Sequence, residues 1–263
     1  MKKTILAGLA LLPVLMLTGC TGDIALKYQT IEVEDFIKHP NAEEDYHGLQ
    51  YAINFTFPVE FNNEAVLKTL QRKFIAYTLG ENYASLTLEA AINACIEDWK
   101  KEYNDEMEEF ISETGFVLAY EHWISNSILL STDRLLQLYT EGYSYLGGAH
   151  GSSGASAHLF NLQTGEEYSR NDIFKPESHE SIRRIIDAAL LEYWEEEVDY
   201  EKDCAWTETT HFALTPQGVM IVYSDYELGY YALGRPEITI PYAQILPHLR
   251  EGTPVWDFTR KNI

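Results

Sequence analysis

Two stretches of the chain combine tyrosine, glycine and histidine in patterns suited to binding a ligand. In residues 143–151, tyrosines flank glycines that permit positive φ angles and close backbone approach. Residues 223–234 form a tyrosine-rich segment bounded by glycine, which could line a groove or rim an interface. The candidate binding residues are Tyr143, Tyr145, Gly147, Gly148, His150, Gly151, Tyr226, Tyr230 and Tyr231. For the first stretch the alternative is a tight connection between strands whose histidine caps neighbouring backbone.

Signatures of catalysis and metal binding are missing from the sequence. It contains no His-Glu-x-x-His, no Walker loop and no Cys-x-x-Cys. Gly151-Ser152-Ser153-Gly154 departs from the nucleophile elbow of hydrolases. His150 lies close to these serines in sequence, but adjacency is not geometry. We therefore expect no catalytic residue, no metal and no cofactor, and favour a non-enzymatic protein while leaving the enzyme question open.

The charge balance excludes one class of partner. Lys and Arg number 19 against 41 Asp and Glu, a net charge of −22. Such a surface repels phosphate backbones and attracts cations, so we expect no nucleic-acid binding. With 46% hydrophobic residues the chain is globular, with a core of its own.

The N-terminus has the pattern of a bacterial lipoprotein signal. Two lysines precede an apolar run over residues 5–17 that is too short for a comfortable membrane span. The run ends in Leu17-Thr18-Gly19-Cys20, which resembles a lipobox and predicts lipidation of Cys20. We expect an extracytoplasmic protein anchored in a membrane through lipid, and Thr21 favours the outer membrane if the cell is Gram-negative. The alternatives are an ordinary signal peptide or a buried N-terminal helix.

Periodicity predicts an α+β fold, with antiparallel sheets packed with three main helices. Alternation predicts a strand over 49–61, where Pro58 suggests an edge or a bend. The helices are predicted at 64–79, from a Thr87 cap to Gly115, and at 178–198. The remaining predictions are a hairpin turning at 131–133, a glycine-rich loop at 147–154, strands near 157–162, 211–214, 219–223 and 237–240, and turns at 163–165 and 215–218.

Two further features leave alternatives open. Cys95 falls on the apolar face of the second helix, where it would act as a small hydrophobe; the alternative is a disulfide with Cys204, which this compartment permits. The other face of that helix carries a row of carboxylates from Asp98 to Glu113. We favour a solvated face over a calcium site, because the ligand spacing and turn glycine of a calcium loop are absent.

The predicted organisation follows the chain in order. A signal peptide over 1–19 and a lipid-anchored tether over 20–30 precede an N-terminal α+β domain over 31–130. A C-terminal domain over 131–256 and a polar tail over 257–263 complete the chain.

The second half of the chain resembles the RsiV-like extracellular domain family, so called after a lysozyme-sensing anti-sigma factor and otherwise of unknown function. The resemblance rests on several motifs in order: Gly147-Gly148-Ala149-His150-Gly151, Phe160-Asn161-Leu162-Gln163-Thr164-Gly165, Asp172-Ile173-Phe174, Phe212-Ala213-Leu214-Thr215-Pro216-Gln217-Gly218, and Ile238-Thr239-Ile240-Pro241-Tyr242. Residues 30–130 resemble the domain that precedes it in that family and that also occurs with peptidoglycan deacetylases. The sequence does not show the sigma-binding segment, so we do not expect an anti-sigma factor.

The resemblance implies binding, with contacts at the Gly147–Gly151 loop and at residues 226–234. Our leading hypothesis is a non-enzymatic cell-envelope lipoprotein that binds a protein or glycan, and its sharper form is capture of cationic, lysozyme-like enzymes. One alternative is an enzyme or accessory domain acting on peptidoglycan or another envelope polysaccharide. Another is a structural envelope lipoprotein.

Overall fold

The computed structural model describes residues 26–195 and 198–263. They fall into two compact units: the first has the described residues up to Asn126 together with Glu141–Ser153, and the second has Ser127–Thr140 and the described part of Gly154–Ile263. Within these residues, none of the helices is long and apolar enough to cross a membrane. The predicted signal peptide and Cys20 lie outside the described residues, and the predicted domain boundaries stay predictions.

The model confirms the α+β class. Strands β1 to β5 form one sheet in the order β1-β2-β3-β4-β5, and β6 to β8 form a second sheet in the order β6-β7-β8. The strands are β1 (Lys27–Lys38), β2 (Gly48–Glu60), β3 (Tyr120–Ser131), β4 (Leu135–Leu146), β5 (Ser152–Asn161), β6 (His211–Leu214), β7 (Val219–Val222) and β8 (Ile238–Ile240). The helices are α1 (Glu64–Thr78), α2 (Leu88–Thr114), α3 (Arg170–Ile173), α4 (His179–Trp194), α5 (Tyr242–Ile245) and α6 (Pro254–Lys261).

Strand β2 provides the buried face that its alternation predicts. Its odd-numbered side chains from Leu49 to Phe57 are buried, and α1 and α2 pack against it. Pro58 pairs with Tyr28 of β1, beyond the stretch of β2 that pairs with β3. The proline therefore lies where β2 has a single strand neighbour in the described register, which fits the edge interpretation.

Strand β1 is not predicted from the sequence. It pairs antiparallel with β2, from Lys27 opposite Glu60 to Lys38 opposite Gly48. As an edge strand it is half-buried to exposed and carries many charged side chains, so it lacks a clear apolar alternation. Its first residues occupy the end of the stretch predicted as a tether.

The two helices of the first unit begin and end where the sequence predicts. Asn63 caps α1 by accepting a hydrogen bond from the Val66 amide at 3.2 Å. Thr87 caps α2, and Gly115 ends it at φ 77° in the left-handed region. Local capping chemistry thus sets these boundaries.

The prediction of antiparallel sheets is wrong at one position. Strand β2 pairs with β3 in parallel, Leu49–Asn54 opposite Tyr120–Ser125. The connection through α1 and α2 is a crossover that brings the chain back in the same direction, which parallel neighbours require.

Beyond the residues of β2 that pair with β3, the side chain of Asn126 in β3 continues the hydrogen bonding to β2. The Asn126 carbonyl oxygen accepts the Thr56 amide at 2.7 Å, and the Asn126 amide donates to the Thr78 hydroxyl at 2.8 Å. Both Asn126 and Thr78 are buried, so this bridge holds β2, β3 and α1 together.

The second unit has its own core. Helix α4 packs on β8, and the core is lined by Leu135 and Leu159 from the long strands and by Trp206 and Ile221. The hairpin at 131–133, the short strands and the turn at 215–218 are confirmed, the last by the Thr215 amide donating to the Gly218 carbonyl at 2.9 Å.

Three boundaries differ from the prediction. Helix α4 ends at Trp194 rather than at 198, with Glu195 at φ 56°. The last turn of α4 contains no basic residue to complement the helix dipole, and residues 196 and 197 of the predicted helix lie outside the described residues. Strand β5 begins at Ser152, which shortens the predicted glycine loop. Helix α6 covers most of the predicted polar tail, since Val255 and Thr259 turn into the core.

The cysteines and the acidic helix face have structural roles. Cys95 and Cys204 are both free thiols, so the alternative of a disulfide is not realised. Cys95 is buried, and burial raises the pKa of its thiol to about 12. The carboxylates of α2 from Asp98 to Glu113 are exposed, and the described residues contain no metal-binding group of His, Cys, Asp or Glu. A solvated face accounts for them.

Candidate functional site

The candidate residues of the glycine loop lie in the first unit. Gly147 has φ 73°, and a Cβ there would lie 2.6 Å from Cδ1 of Leu118. Only glycine meets both conditions, a left-handed conformation and close contact with a side chain. A Cβ added to Gly148 would have no atom within 4 Å, so the space next to this residue is open.

Tyr143 packs over the other end of the loop. A Cβ on Gly151 would lie 2.3 Å from the far edge of the Tyr143 ring, and that ring stacks on Trp123 with centroids 6.2 Å apart. Tyr143 and Tyr145 are part-buried. Tyr143 thus braces the loop, which leaves its upper part, Gly148 to His150, as the exposed portion.

His150 is exposed, and its Nδ1 lies 2.9 Å from the Gly151 carbonyl oxygen. This contact matches the alternative in which the histidine caps neighbouring backbone. Because His150 is exposed as well, a backbone contact and a place in a binding loop are compatible at this residue.

The candidate tyrosines of the second stretch lie in the second unit. Tyr226, Tyr230 and Tyr231 are 51%, 60% and 38% exposed. The rings of Tyr226 and Tyr231 have centroids 5.6 Å apart. We call these three residues the tyrosine surface.

Inward-facing residues of the same segment hold the tyrosine surface in place. Tyr223 is buried and donates its hydroxyl to the Ala205 carbonyl at 2.7 Å, and Leu228 is buried as well. Trp194 of α4 donates from Nε1 to the Leu233 carbonyl at 3.4 Å. The segment therefore alternates between anchors and exposed tyrosines.

Tyr226 adopts a conformation that costs free energy. Its φ is 67°, in the left-handed region that side chains other than glycine rarely occupy. Such strain persists where the surroundings determine it, and it clusters at functional sites. Here the turn is closed by Glu227, whose carboxylate accepts the Ser224 amide at 2.9 Å, while burial raises the pKa of that carboxyl.

The tyrosine surface lies in an acidic part of the sequence. Between Arg184 and Arg235 the sequence contains a single lysine or arginine, Lys202, and many carboxylates. Asp225 and Glu227 lie within the segment itself, and Arg235 follows it and donates from Nε to the Tyr223 carbonyl at 3.1 Å. Aromatic rings on a segment with an excess of acidic residues suit a cationic ligand.

The candidate residues of the two stretches thus belong to different units, six in the first and three in the second. Sequence reasoning missed a third group, Ser156, His158 and Glu167, whose side chains are joined by hydrogen bonds in the second unit. The available signal was a histidine near the start of a predicted strand with a serine two residues before it, followed by a turn and a glutamate.

Two family models match separate parts of the chain. The model described as Deacetylase PdaC matches residues 43–153, and the model described as a protein of unknown function, DUF3298, matches residues 171–243. Their order agrees with the domain arrangement implied by the resemblance. No curated protein sequence matches the chain.

Two solved structures share the fold. A member of the DUF3298 family from Bacteroides fragilis has a TM-score of 0.77 at 22% identity, covering 91% of this chain and 99% of that chain. A DUF3298 family protein from Pseudomonas aeruginosa has a TM-score of 0.57 at 19% identity, covering 87% of this chain and 96% of that one. These structures show the shared fold, and the two family matches suggest an envelope-associated domain of unknown function.

Proposed function

We propose that this protein is a lipid-anchored cell-envelope protein that binds a cationic, lysozyme-like protein through the tyrosine surface. The observation that carries the proposal is the exposure of Tyr226, Tyr230 and Tyr231 on a segment whose other side chains are anchored in the core. Tyrosines held in this way supply contact area without losing much conformational freedom on binding.

Electrostatics favours a cationic partner. The net charge of −22 and the acidic stretch around the tyrosine surface would speed the encounter with a basic protein. This contribution falls with salt, because charges further apart than about 8 Å are screened at physiological ionic strength. The aromatic contacts depend far less on salt, so specific binding should survive at physiological salt.

The glycine loop, which belongs to the first unit, is proposed as a separate binding surface. Gly148 to His150 are exposed on a loop held by Tyr143 and Leu118, so the loop is presented without being loose. The family resemblance implies contacts at this loop as well. Placement in the envelope rests on the lipobox-like residues ending at Cys20, and the family matches are consistent with it.

Calorimetric titration with a c-type lysozyme tests the proposal. The chain from Thr21 to Ile263 would be titrated at low and at physiological salt, with lysozyme activity assayed in parallel. We expect binding at both salts and inhibition of lysis. Cytochrome c, a cationic protein without glycosidase activity, serves as the control for charge alone and should bind at low salt only.

Matched variants locate the surface. Tyr230→Ala should weaken lysozyme binding at least about tenfold, as expected for an aromatic residue at the centre of an interface. Tyr46→Ala is the control, because Tyr46 is 65% exposed in the first unit, comparable with Tyr230 at 60%. Equal effects of both variants, or binding of lysozyme at low salt only, would refute the proposal; retention on insoluble peptidoglycan in place of lysozyme would indicate a glycan ligand.

A further inference from the structure

Three side chains of the second unit are joined by hydrogen bonds in the order found in the catalytic triad of a hydrolase. Nε2 of His158 lies 2.9 Å from Oγ of Ser156, and Nδ1 of the same ring lies 2.8 Å from Oε1 of Glu167. Each distance is that of a good hydrogen bond. A hydroxyl, an imidazole and a carboxylate in this order are what nucleophilic catalysis by serine requires.

The local fold explains how the three meet. Ser156 and His158 are two residues apart on β5, so their side chains project from the same face of the strand. After the turn at 163–165 the chain runs back along β5, with a bridge between Phe160 and Glu167. This return places the carboxylate beside the histidine.

The hydrogen bonds set the proton positions. An ionised carboxylate only accepts, so Nδ1 of His158 donates to Glu167, and in the neutral imidazole Nε2 is the acceptor for the Ser156 hydroxyl. The Thr140 hydroxyl lies 2.7 Å from Oγ of Ser156 on its other side, and either hydroxyl can be the donor. When Thr140 donates to Ser156, the serine proton is available for His158.

Burial is distributed as a reaction would need it. His158 and Thr140 are buried, whereas Ser156 and Glu167 are part-exposed. The base is therefore buried, while the residue that carries the hydroxyl keeps part of its surface exposed. The charged and titratable groups that face His158 in the described contacts are Glu167 and the ring of His211, whose centroid is 5.1 Å away.

His211 does not add a competing charge. Its Nδ1 donates to the Ala157 carbonyl at 3.0 Å, and burial lowers the pKa of its imidazole below 6.5. At neutral pH it is uncharged, so the positive charge that develops on His158 during proton transfer meets no second cation there.

We propose that Ser156 is a nucleophile that cleaves carboxylic esters, with His158 as general base and Glu167 as a positioning residue. Oγ bonds to the ester carbonyl carbon as its proton passes to Nε2 of His158; the carbon–oxygen bond to the leaving alcohol then breaks, and that alcohol takes the proton. Water then bonds to the acyl carbon as its proton passes to Nε2 of His158; the carbon–Oγ bond breaks, Oγ takes that proton, and the acid is released with Ser156 restored. This activity is independent of binding by the tyrosine surface.

The first experiment measures hydrolysis of p-nitrophenyl acetate and covalent labelling by a fluorophosphonate, followed by intact-protein mass, on the chain from Thr21 to Ile263. We expect one label per chain and turnover above the rate of the buffer. Ser156→Ala should remove the label and lower kcat/KM by more than about 100-fold. Ser152→Ala, on the exposed start of the same strand, should retain both.

The second experiment tests positioning by Glu167. Glu167→Gln should lower kcat by at least about tenfold and change the pH profile while leaving KM and the melting temperature near those of the unsubstituted chain. Glu167→Asp should recover part of kcat. A folded chain that takes no label, or Ser156→Ala that keeps its activity, would overturn the proposal.

Discussion

Gly151→Ala tests the packing that shapes the glycine loop. The added Cβ would lie 2.3 Å from Cε2, Cζ and Oη of Tyr143, whereas ordinary contact begins at 3.4 Å. The ring must therefore retreat by about 1 Å, which disturbs its stack on Trp123. Overpacking of this kind costs about 1–3 kcal/mol, and because the ring edge can swing we expect about 1–2 kcal/mol.

A double-mutant cycle isolates the cause. Gly151→Ala would be measured by urea unfolding, followed by far-UV circular dichroism, in the unsubstituted chain and in Tyr143→Ala. Without the ring the clash disappears, so the penalty of Gly151→Ala should fall to within about 0.5 kcal/mol of zero. Gly148→Ala is the control, since its Cβ meets no atom within 4 Å and should change stability by less than about 0.5 kcal/mol.

Two results would refute this reasoning. If Gly151→Ala costs the same with and without the Tyr143 ring, the penalty comes from the backbone and not from the contact. If Gly148→Ala lowers the free energy of unfolding as much as Gly151→Ala does, the contact between Gly151 and the Tyr143 ring is not what sets the penalty.

Three further predictions concern buried polar groups. Asn126→Ala should cost about 2–3 kcal/mol, because it leaves a main-chain amide and a threonine hydroxyl without their partner; Asn104→Ala, exposed on α2, should be near neutral in the same urea titration. Burial lowers the pKa of His122 below 6.5, so as the pH falls the imidazole is protonated in the unfolded chain before it is protonated in the folded chain. The free energy of unfolding should therefore decrease as the pH falls from about 6.5 through the lowered pKa. His122→Phe should lessen the drop in the urea midpoint between pH 7 and pH 5. In the native chain from Thr21, Ellman's reagent at pH 8 should react with Cys204 while Cys95 stays unlabelled until unfolding, and labelling of both at one rate would contradict its burial.

Much of the secondary structure follows from the sequence because its determinants are local. A capping residue, a glycine at a helix end and alternation along a strand act over a few residues, and this is why α1, α2 and β2 are predicted closely. Where local signals were weak or opposed, prediction failed: β1 carries too many charges to be seen as a strand, and α4 has no basic residue in its last turn.

The direction of strand pairing is not a local property. Antiparallel and parallel neighbours have similar residues, and the choice for β2 and β3 depends on how α1 and α2 carry the chain back. The same holds for Asn126, which is an ordinary polar residue in the sequence and a buried bridge in the fold.

The candidate sites divide in the same way. The acidic charge, the lipobox-like start and the tyrosine and glycine stretches can be read from the amino-acid sequence alone. The packed structure is needed to see that Tyr226, Tyr230 and Tyr231 are exposed while Tyr223 and Leu228 are anchors. It is also needed to see that a turn carries Glu167 to His158. The physical reason is that composition and short-range periodicity are written along the chain, whereas burial and hydrogen bonding between distant residues exist once the chain has packed.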